Sequence, residues 1–313
     1  MKLVDRYGRP LTGLRISLTD ECDYKCIYCH KEGLKDKPRD EMRADEIAKL
    51  AKVATKFDIY NVKLTGGEPL LRRDIVEIVR KLKEVGIREV SITTNGHLLY
   101  ELAEPLKEAG LARVNVNLPS LKPEVYRYIT GVDKLDIVVK GIEKAYEVGL
   151  RPVKINFVVL KGINDLEIND MMEFVRGKDM VLQLIELEPS NPSFYLKHHM
   201  SLDGIEKELV NKAERVIKRS LHNRLQFVLK GGVTVEVVKP MHNTSFCMGC
   251  TRLRVTPDGK LKTCLFRNDN LVDFLALMRK GASEEELGKL IVKANELREP
   301  FFKKGVSDVP ANI

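Results

Sequence analysis

A chain of 313 residues exceeds what one hydrophobic core usually supports, so length predicts two domains, or one large barrel with an appendage. A hydrophobic fraction of 43% makes it globular, no charge-free apolar run approaches the roughly 20 residues of a membrane span, and the Met1–Arg6 start is no signal peptide, so a cytoplasmic protein without a membrane partner is expected. A net charge of +8 favours polyanionic partners without choosing between nucleotides and nucleic acid, and 31% charged residues with no Trp lean towards heat adaptation.

Short β-branched runs at 14–18, 61–64, 90–92, 114–118, 153–159 and 181–187 alternate with helical patterns, which predicts a parallel sheet of βα units. Helix ends are legible between them: Asp74 stands as an N-cap with Glu77 three residues on, and Gly86 stops the same helix. Beyond Pro189 the sequence reads as a loop through Asn191, Pro192 and His198-His199, then one helix over 203–220. Runs at 225–229 and 233–238 meet at Gly231-Gly232 as a hairpin, and Pro257-Asp258-Gly259 marks a second. Two closing helices follow, the last opened by Ser283 with Glu286. The expected division falls at 235, giving residues 1–235 and 236–313.

The first strands end in small or polar clusters: the cysteine loop, Thr65-Gly66-Gly67-Glu68-Pro69 and Thr93-Thr94-Asn95-Gly96. Reactive residues of parallel βα barrels gather at the carboxyl ends of the strands, so these loops should share one mouth. All six cysteines fall in two triplets: Cys22, Cys26 and Cys29 as CxxxCxxC, then Cys247, Cys250 and Cys264. In a reducing compartment such clustering points to metal. Three thiolates leave a cubane iron–sulfur cluster with one iron open to a small molecule; a Cys3His zinc knuckle completed by His30 is the alternative. Gly66 and Gly67 fit either a tight turn or close backbone approach to a ligand. The remaining histidines show no ligand spacing.

The CxxxCxxC loop with Tyr28 before its last cysteine, followed by GGEP, resembles the radical S-adenosylmethionine superfamily across the barrel region. More narrowly, Leu14-Arg15-Ile16-Ser17, Lys63-Leu64-Thr65-Gly66-Gly67-Glu68-Pro69, Thr93-Thr94-Asn95-Gly96, Lys161-Gly162-Ile163-Asn164-Asp165 and the 246–254 segment FCMGCTRLR resemble the MoaA family, GTP 3',8-cyclase of molybdenum cofactor biosynthesis.

That resemblance implies an α/β fold, a partial (β/α)6 TIM-like barrel with a C-terminal α+β cluster-binding extension. It implies a lyase with two 4Fe-4S clusters and S-adenosylmethionine as cofactors. Cys22, Cys26 and Cys29 would hold the cluster whose open iron chelates S-adenosylmethionine, and Cys247, Cys250 and Cys264 the cluster that binds the guanine of GTP. A 5'-deoxyadenosyl radical would take hydrogen from C3' of GTP, leading to 3',8-cyclo-7,8-dihydro-GTP. Tyr28, Gly67, Asn117 and Glu188 fall at S-adenosylmethionine positions, and Arg15, Lys63, Thr93, Lys154, Arg252, Leu253 and Arg254 at GTP positions. No catalytic side chain beyond the cluster and substrate ligands is implied. A reductant of ferredoxin or flavodoxin type and, downstream, cyclic pyranopterin monophosphate synthase are the implied partners, with no nucleic acid; oligomeric state stays open, a homodimer included.

The chain departs from the family pattern in ending Pro310-Ala311-Asn312-Ile313 where bacterial members end in Gly-Gly, and in Asn117, Pro119, Gln183 and Glu188 at positions usually held by Ser, Asp, Arg and Met. Two rivals remain: a peptide-modifying radical enzyme, which needs no Arg252-x-Arg254 pair, and a zinc-structured nucleic-acid-binding protein.

Overall fold

The computed structural model describes residues 1–34 and 40–303. The four C-terminal residues named above lie outside them. The barrel is built by Gly13–Ser17 (β1), Ala44–Thr55 (α1), Asn61–Thr65 (β2), Ile75–Glu84 (α2), Glu89–Thr94 (β3), Leu99–Glu108 (α3), Arg113–Asn117 (β4), Pro123–Thr130 (α4), Leu135–Glu147 (α5), Val153–Val159 (β5), Ile168–Val175 (α6) and Met180–Glu186 (β6). Then follow Pro192–His198 (α7), Asp203–Lys212 (α8), Ala213–Lys218 (β7), Leu225–Leu229 (β8), Val233–Val238 (β9), Thr244–Met248 (α9), Arg252–Val255 (β10), Lys260–Lys262 (β11), Val272–Asp273 (β12), Leu275–Arg279 (α10) and Glu284–Glu296 (α11).

Strands β1 to β6 lie side by side in chain order, all parallel. The later part of the chain extends both flanks: β10 pairs in parallel with β1, and β9 in parallel with β6. The antiparallel hairpins β8–β9 and β10–β11 carry the sheet outward on each side. Residue 235 lies within β9, and the sheet is continuous across it.

Strand alternation sorts the chemistry. Along β4, Val114 and Val116 are fully buried in the core shared with the helices, while Arg113, Asn115 and Asn117 face a central cavity. The same division places Lys63 of β2, Lys154 and Asn156 of β5, Gln183 of β6 and Arg252 and Arg254 of β10 on the cavity side. Each fully buried Val, Leu or Ile of the opposite face contributes about 1.5–3 kcal/mol, which offsets an inner row that is mostly polar, with Val158, Ile185 and Val238 as its apolar members.

Three expectations for elements need correction. The helix expected over 203–220 ends at Lys212, and Ala213–Lys218 is an edge strand paired with β8. Its β-branched Val216 and Ile217 favour extension, and its charged, mostly exposed side chains suit an edge. The loop expected at 191–199 contains α7, where Asn191 caps Phe194 N and Pro192 occupies the first turn. Asp74 stands at the N-cap of α2, but its carboxylate is taken by Arg72 in a two-pronged pair at 2.8 and 2.7 Å. Both predicted hairpins and the Ser283–Glu286 capping box are present.

Candidate active site

Three loops at the carboxyl ends of β1, β2 and β3 meet at the barrel mouth. Gly67 N donates to Thr19 O at 2.8 Å and Glu68 N to Glu21 O at 2.7 Å, fastening the GGEP loop to the cysteine loop. A Cβ on Gly67 would sit 2.0 Å from Glu21 O, and one on Gly66, at φ +150°, 2.5 Å from Thr19 O. Both glycines are thus required by close approach of two backbones. Gly67→Ala is expected to cost about 1–3 kcal/mol, read as a lower denaturation midpoint at unchanged m-value; an unshifted midpoint would contradict this contact.

Glu68 joins the second loop to the third. Its carboxylate is almost fully buried and accepts from Leu70 N, Thr94 Oγ1 and Asn95 N at 2.6–2.9 Å. Burial pushes it up to about 7 against the pull of those donors. Asn95 Nδ2 donates to Asp23, and His97 Nε2 lies 3.2 Å from the same carboxylate, so the third loop braces the residue after Cys22. His97, silent in the sequence, has this bracing contact.

The first triplet lines the cavity, with Cys22 and Cys29 exposed and Cys26 half-buried. Burial pushes Cys22 up to about 11 and Cys26 up to about 12, so as free thiols they hold their protons at neutral pH and metal loading must release them. Among the described residues no three His, Cys, Asp or Glu side chains converge as a single ion would require. A cubane takes one thiolate per iron and needs no such convergence. Asn117 Nδ2 donates to the hydroxyl of buried Tyr28 at 2.7 Å. Glu188 Oε2 is a buried acceptor without a hydrogen-bond partner among the described residues, 4.0 Å from His30 Nε2. An unsatisfied carboxylate oxygen on the wall beside three thiols fits a cationic or hydroxyl-bearing small molecule.

The second triplet is built by the C-terminal region. Backbone N–H groups of Phe301 and Phe302 reach the Cys247 sulfur and that of Phe266 reaches Cys264, whose burial raises it to about 11. Donors aimed at sulfur suit cluster thiolates. Gly249 lets residues 221–223 press onto the CxxC turn, since a Cβ there would lie 2.6 Å from Asn223 N. His222 stacks on Phe246 at 4.0 Å. The Cys247, Cys250 and Cys264 side chains do not line the cavity themselves; their neighbours Phe246 and Leu265 do.

Between the triplets the cavity, about 300 Å³, collects cations. Register sets Arg15 beside both Lys63 and Arg254, and Lys154 beside Asn115. Lys63 Nζ donates to Asn115 at 2.6 Å, and burial, with Arg113 and Arg252 nearby, holds it well below the ordinary lysine value. Burial and the neighbouring Arg15 take Arg252 down to about 9. Thr93 also lines the cavity, whereas the Leu253 side chain is fully buried in the core, so only its backbone could meet a ligand.

Sequence reasoning missed the counter-charges. Glu32, from the segment after Cys29, pairs with Arg15 and with Arg254 Nη1 at 2.6 Å; burial alone would raise it, but the two guanidiniums hold it well below the usual carboxylate range. Glu236 is fully buried among Lys154, Arg224 and Arg219, at 2.7, 2.9 and 3.5 Å. Arg113, Arg219 and Arg224, also unsignalled, add to the cationic lining. A polyanion entering here competes with carboxylates for forks already spread to receive oxygen pairs.

A parallel half-barrel with a CxxxCxxC loop and a GGEP loop locked together at its mouth defines the class of radical S-adenosylmethionine proteins. Residues 16–175 match the radical SAM superfamily, and residues 180–304 match Molybdenum Cofactor Synthesis C. The chain is 50% identical over 308 residues to a probable GTP 3',8-cyclase of Thermococcus kodakarensis, covering 96% of this chain and 100% of that one. It is 48% identical to one from Pyrococcus abyssi (96% and 99%) and 47% identical to one from Methanothermobacter thermautotrophicus (96% and 99%). Among solved structures, Streptococcus suis SuiB bound to S-adenosylmethionine aligns at TM-score 0.65 and 17% identity over 90% of this chain and 67% of that one, a likeness of fold. The chain belongs to the GTP 3',8-cyclase (MoaA) family of the radical SAM superfamily.

Proposed function

We propose that the chain converts GTP to 3',8-cyclo-7,8-dihydro-GTP in the first step of molybdopterin formation, as a lyase using two 4Fe-4S clusters and S-adenosylmethionine. The observation that carries this reading is one cavity joining the CxxxCxxC loop to a lining of cations from β1, β2, β4, β5 and β10. When bound, the first cluster supplies the electron that releases a 5'-deoxyadenosyl radical from S-adenosylmethionine, and the second cluster offers an iron to the guanine.

This chain's residues do the rest by binding and orientation. Arg15 and Arg254, with Arg252 two residues away on the same face of β10, hold the triphosphate in place of Glu32. Lys63 and Lys154 add charge deeper in, Thr93 a hydroxyl, and the Leu253 backbone completes the wall. Tyr28, Gly67, Asn117 and Glu188 border the S-adenosylmethionine side, Glu188 through its free oxygen. Exclusion of water by this narrow cavity protects the radical. Residues 1–235 carry the first triplet and 236–313 the second, the division that the two roles suggest.

An electron carrier of ferredoxin or flavodoxin type would reach the first cluster through exposed Cys22 and Cys29, and cyclic pyranopterin monophosphate synthase would take the product. No described helix is long and apolar enough to cross a membrane, which supports placement in the cytoplasm. The test is anaerobic incubation of the reconstituted protein with GTP, S-adenosylmethionine and dithionite. 5'-Deoxyadenosine and consumed GTP are expected; intact GTP beside accumulating 5'-deoxyadenosine would contradict the assignment.

A pH dependence follows from Lys154, which burial lowers to about 8 although Glu236 opposes the shift. As pH rises through about 8 the lysine loses its proton and the cavity one positive charge. GTP affinity, measured by equilibrium titration at fixed ionic strength, is expected to fall on the order of tenfold between pH 7 and 9; a flat or rising affinity would refute it.

A further inference from the structure

The C-terminal CxxC turn is held by its main chain from two buried arginines that the reaction above does not use. Arg9, in the segment before β1, is 4% exposed, and Arg298, just beyond α11, is fully buried. Arg9 Nη1 donates to the carbonyl oxygen of Cys247 at 3.0 Å, and Arg298 Nη2 to that of Cys250 at 2.6 Å. Arg298 Nη1 donates in turn to Arg9 O at 3.3 Å and Asn295 Oδ1 at 3.0 Å, which locks the two arginines into one unit.

Asp5 is the counter-charge within this unit. Its Oδ2 accepts from Arg9 Nε at 2.8 Å and lies 3.6 Å from Arg298 Nη1. One carboxylate against two guanidiniums leaves a positive charge in excess at a buried place, and Arg298 Nε has no partner among the described residues. Buried charge of one sign is costly unless something nearby carries the other. A cluster bound by three thiolates is anionic, and more so once reduced, so it completes the balance from the other side of the turn.

We propose that Arg9 and Arg298 are positioning residues of the second cluster, holding Cys247 and Cys250 by their carbonyls and favouring the reduced state through their excess charge. The inference rests on the two-cluster reading. It assigns a purpose to the N-terminal segment and to the end of α11, which meet at this turn from 289 residues apart in sequence.

The test uses the full chain with Cys22→Ala, Cys26→Ala and Cys29→Ala, so that only the second cluster is seen. EPR-monitored redox titration and the rate of iron loss to a chelator are compared for this parent, Arg298→Gln, Arg9→Gln and Arg298→Lys. The glutamine variants are expected to shift the midpoint potential downward and to lose iron about tenfold faster or more. Arg298→Lys is expected to keep the parent potential, because it keeps the charge, while losing iron faster, because one ammonium cannot span Cys250 O, Arg9 O and Asn295. Should Arg298→Gln fail to fold, Arg9→Gln and Arg298→Lys still decide. Parent-like potentials and iron loss, with only the apo-protein melting temperature lowered, would overturn the proposal and leave the arginines a purely structural tie. A parent that takes up no iron would instead overturn the two-cluster reading, and this inference with it.

Discussion

Cys26→Ala is expected to abolish 5'-deoxyadenosine formation, a loss of more than about a thousandfold, and to lower iron from about eight to about four per chain. Cys26 is the informative choice because its side chain packs against both the main core and the smaller cluster around Tyr28 and Ile129. Alanine keeps the Cβ, so the loop, also pinned by Lys25 N and Ile27 N to Thr130 O and Ile129 O at 3.0 Å, retains its course. Cys250→Ala gives the complementary result: 5'-deoxyadenosine still forms, iron again halves, and GTP is not cyclised. The same measurements dispose of the zinc knuckle. His30 Nδ1 already accepts from Glu32 N at 3.0 Å, leaving Nε2 directed towards Glu188. His30→Ala is therefore expected to leave iron unchanged; loss of all metal from the first site would restore the Cys3His alternative.

The six barrel strands and the two cysteine triplets were legible because each is written locally, as a β-branched run or a short ligand spacing. The polar inner row was legible only in part, at Lys63, Asn117, Lys154, Arg252 and Arg254. Arg113, Asn115 and Asn156 alternate with valine, isoleucine and phenylalanine as they would on a sheet with one wet face, and sequence cannot distinguish bulk water from a closed cavity. Glu32 was illegible for another reason: its partner Arg254 lies 222 residues away, and only the parallel pairing of β10 with β1 brings them together. The edge strand Ala213–Lys218 was misread because no Gly or Pro separates it from α8, and its partner β8 settles the conformation. For the glycines of GGEP the sequence leaves a tight turn and close approach to a ligand both open, and only the fold shows that the backbone of the cysteine loop is their immediate neighbour while both also line the cavity.

Glu236→Gln is expected to destabilise the protein by about 3–5 kcal/mol, the usual cost of stripping one partner from a buried ionic cluster. The carboxylate is fully buried, and among the described residues it alone faces Lys154, Arg224 and Arg219 at ion-pair distance. Burial on its own would raise Glu236; Arg224 and then Lys154 reverse this and keep it ionised. A group held low in the folded state stabilises above its unfolded value, so that contribution disappears as pH falls through the acid range, and the glutamine variant should lose less on acidification than the parent. Glutamine keeps the shape and removes the charge, leaving three cations together. Inorganic triphosphate should therefore restore stability, by about 2.7 kcal/mol at a hundredfold excess over its Kd, and should bind the variant more tightly than the parent because no carboxylate competes. Urea denaturation with and without triphosphate measures both effects. Parent-like stability, or a variant indifferent to triphosphate, would mean that these cations do not share one anion site, and the phosphate end of the cavity would have to be placed at Arg15, Arg252 and Arg254 alone.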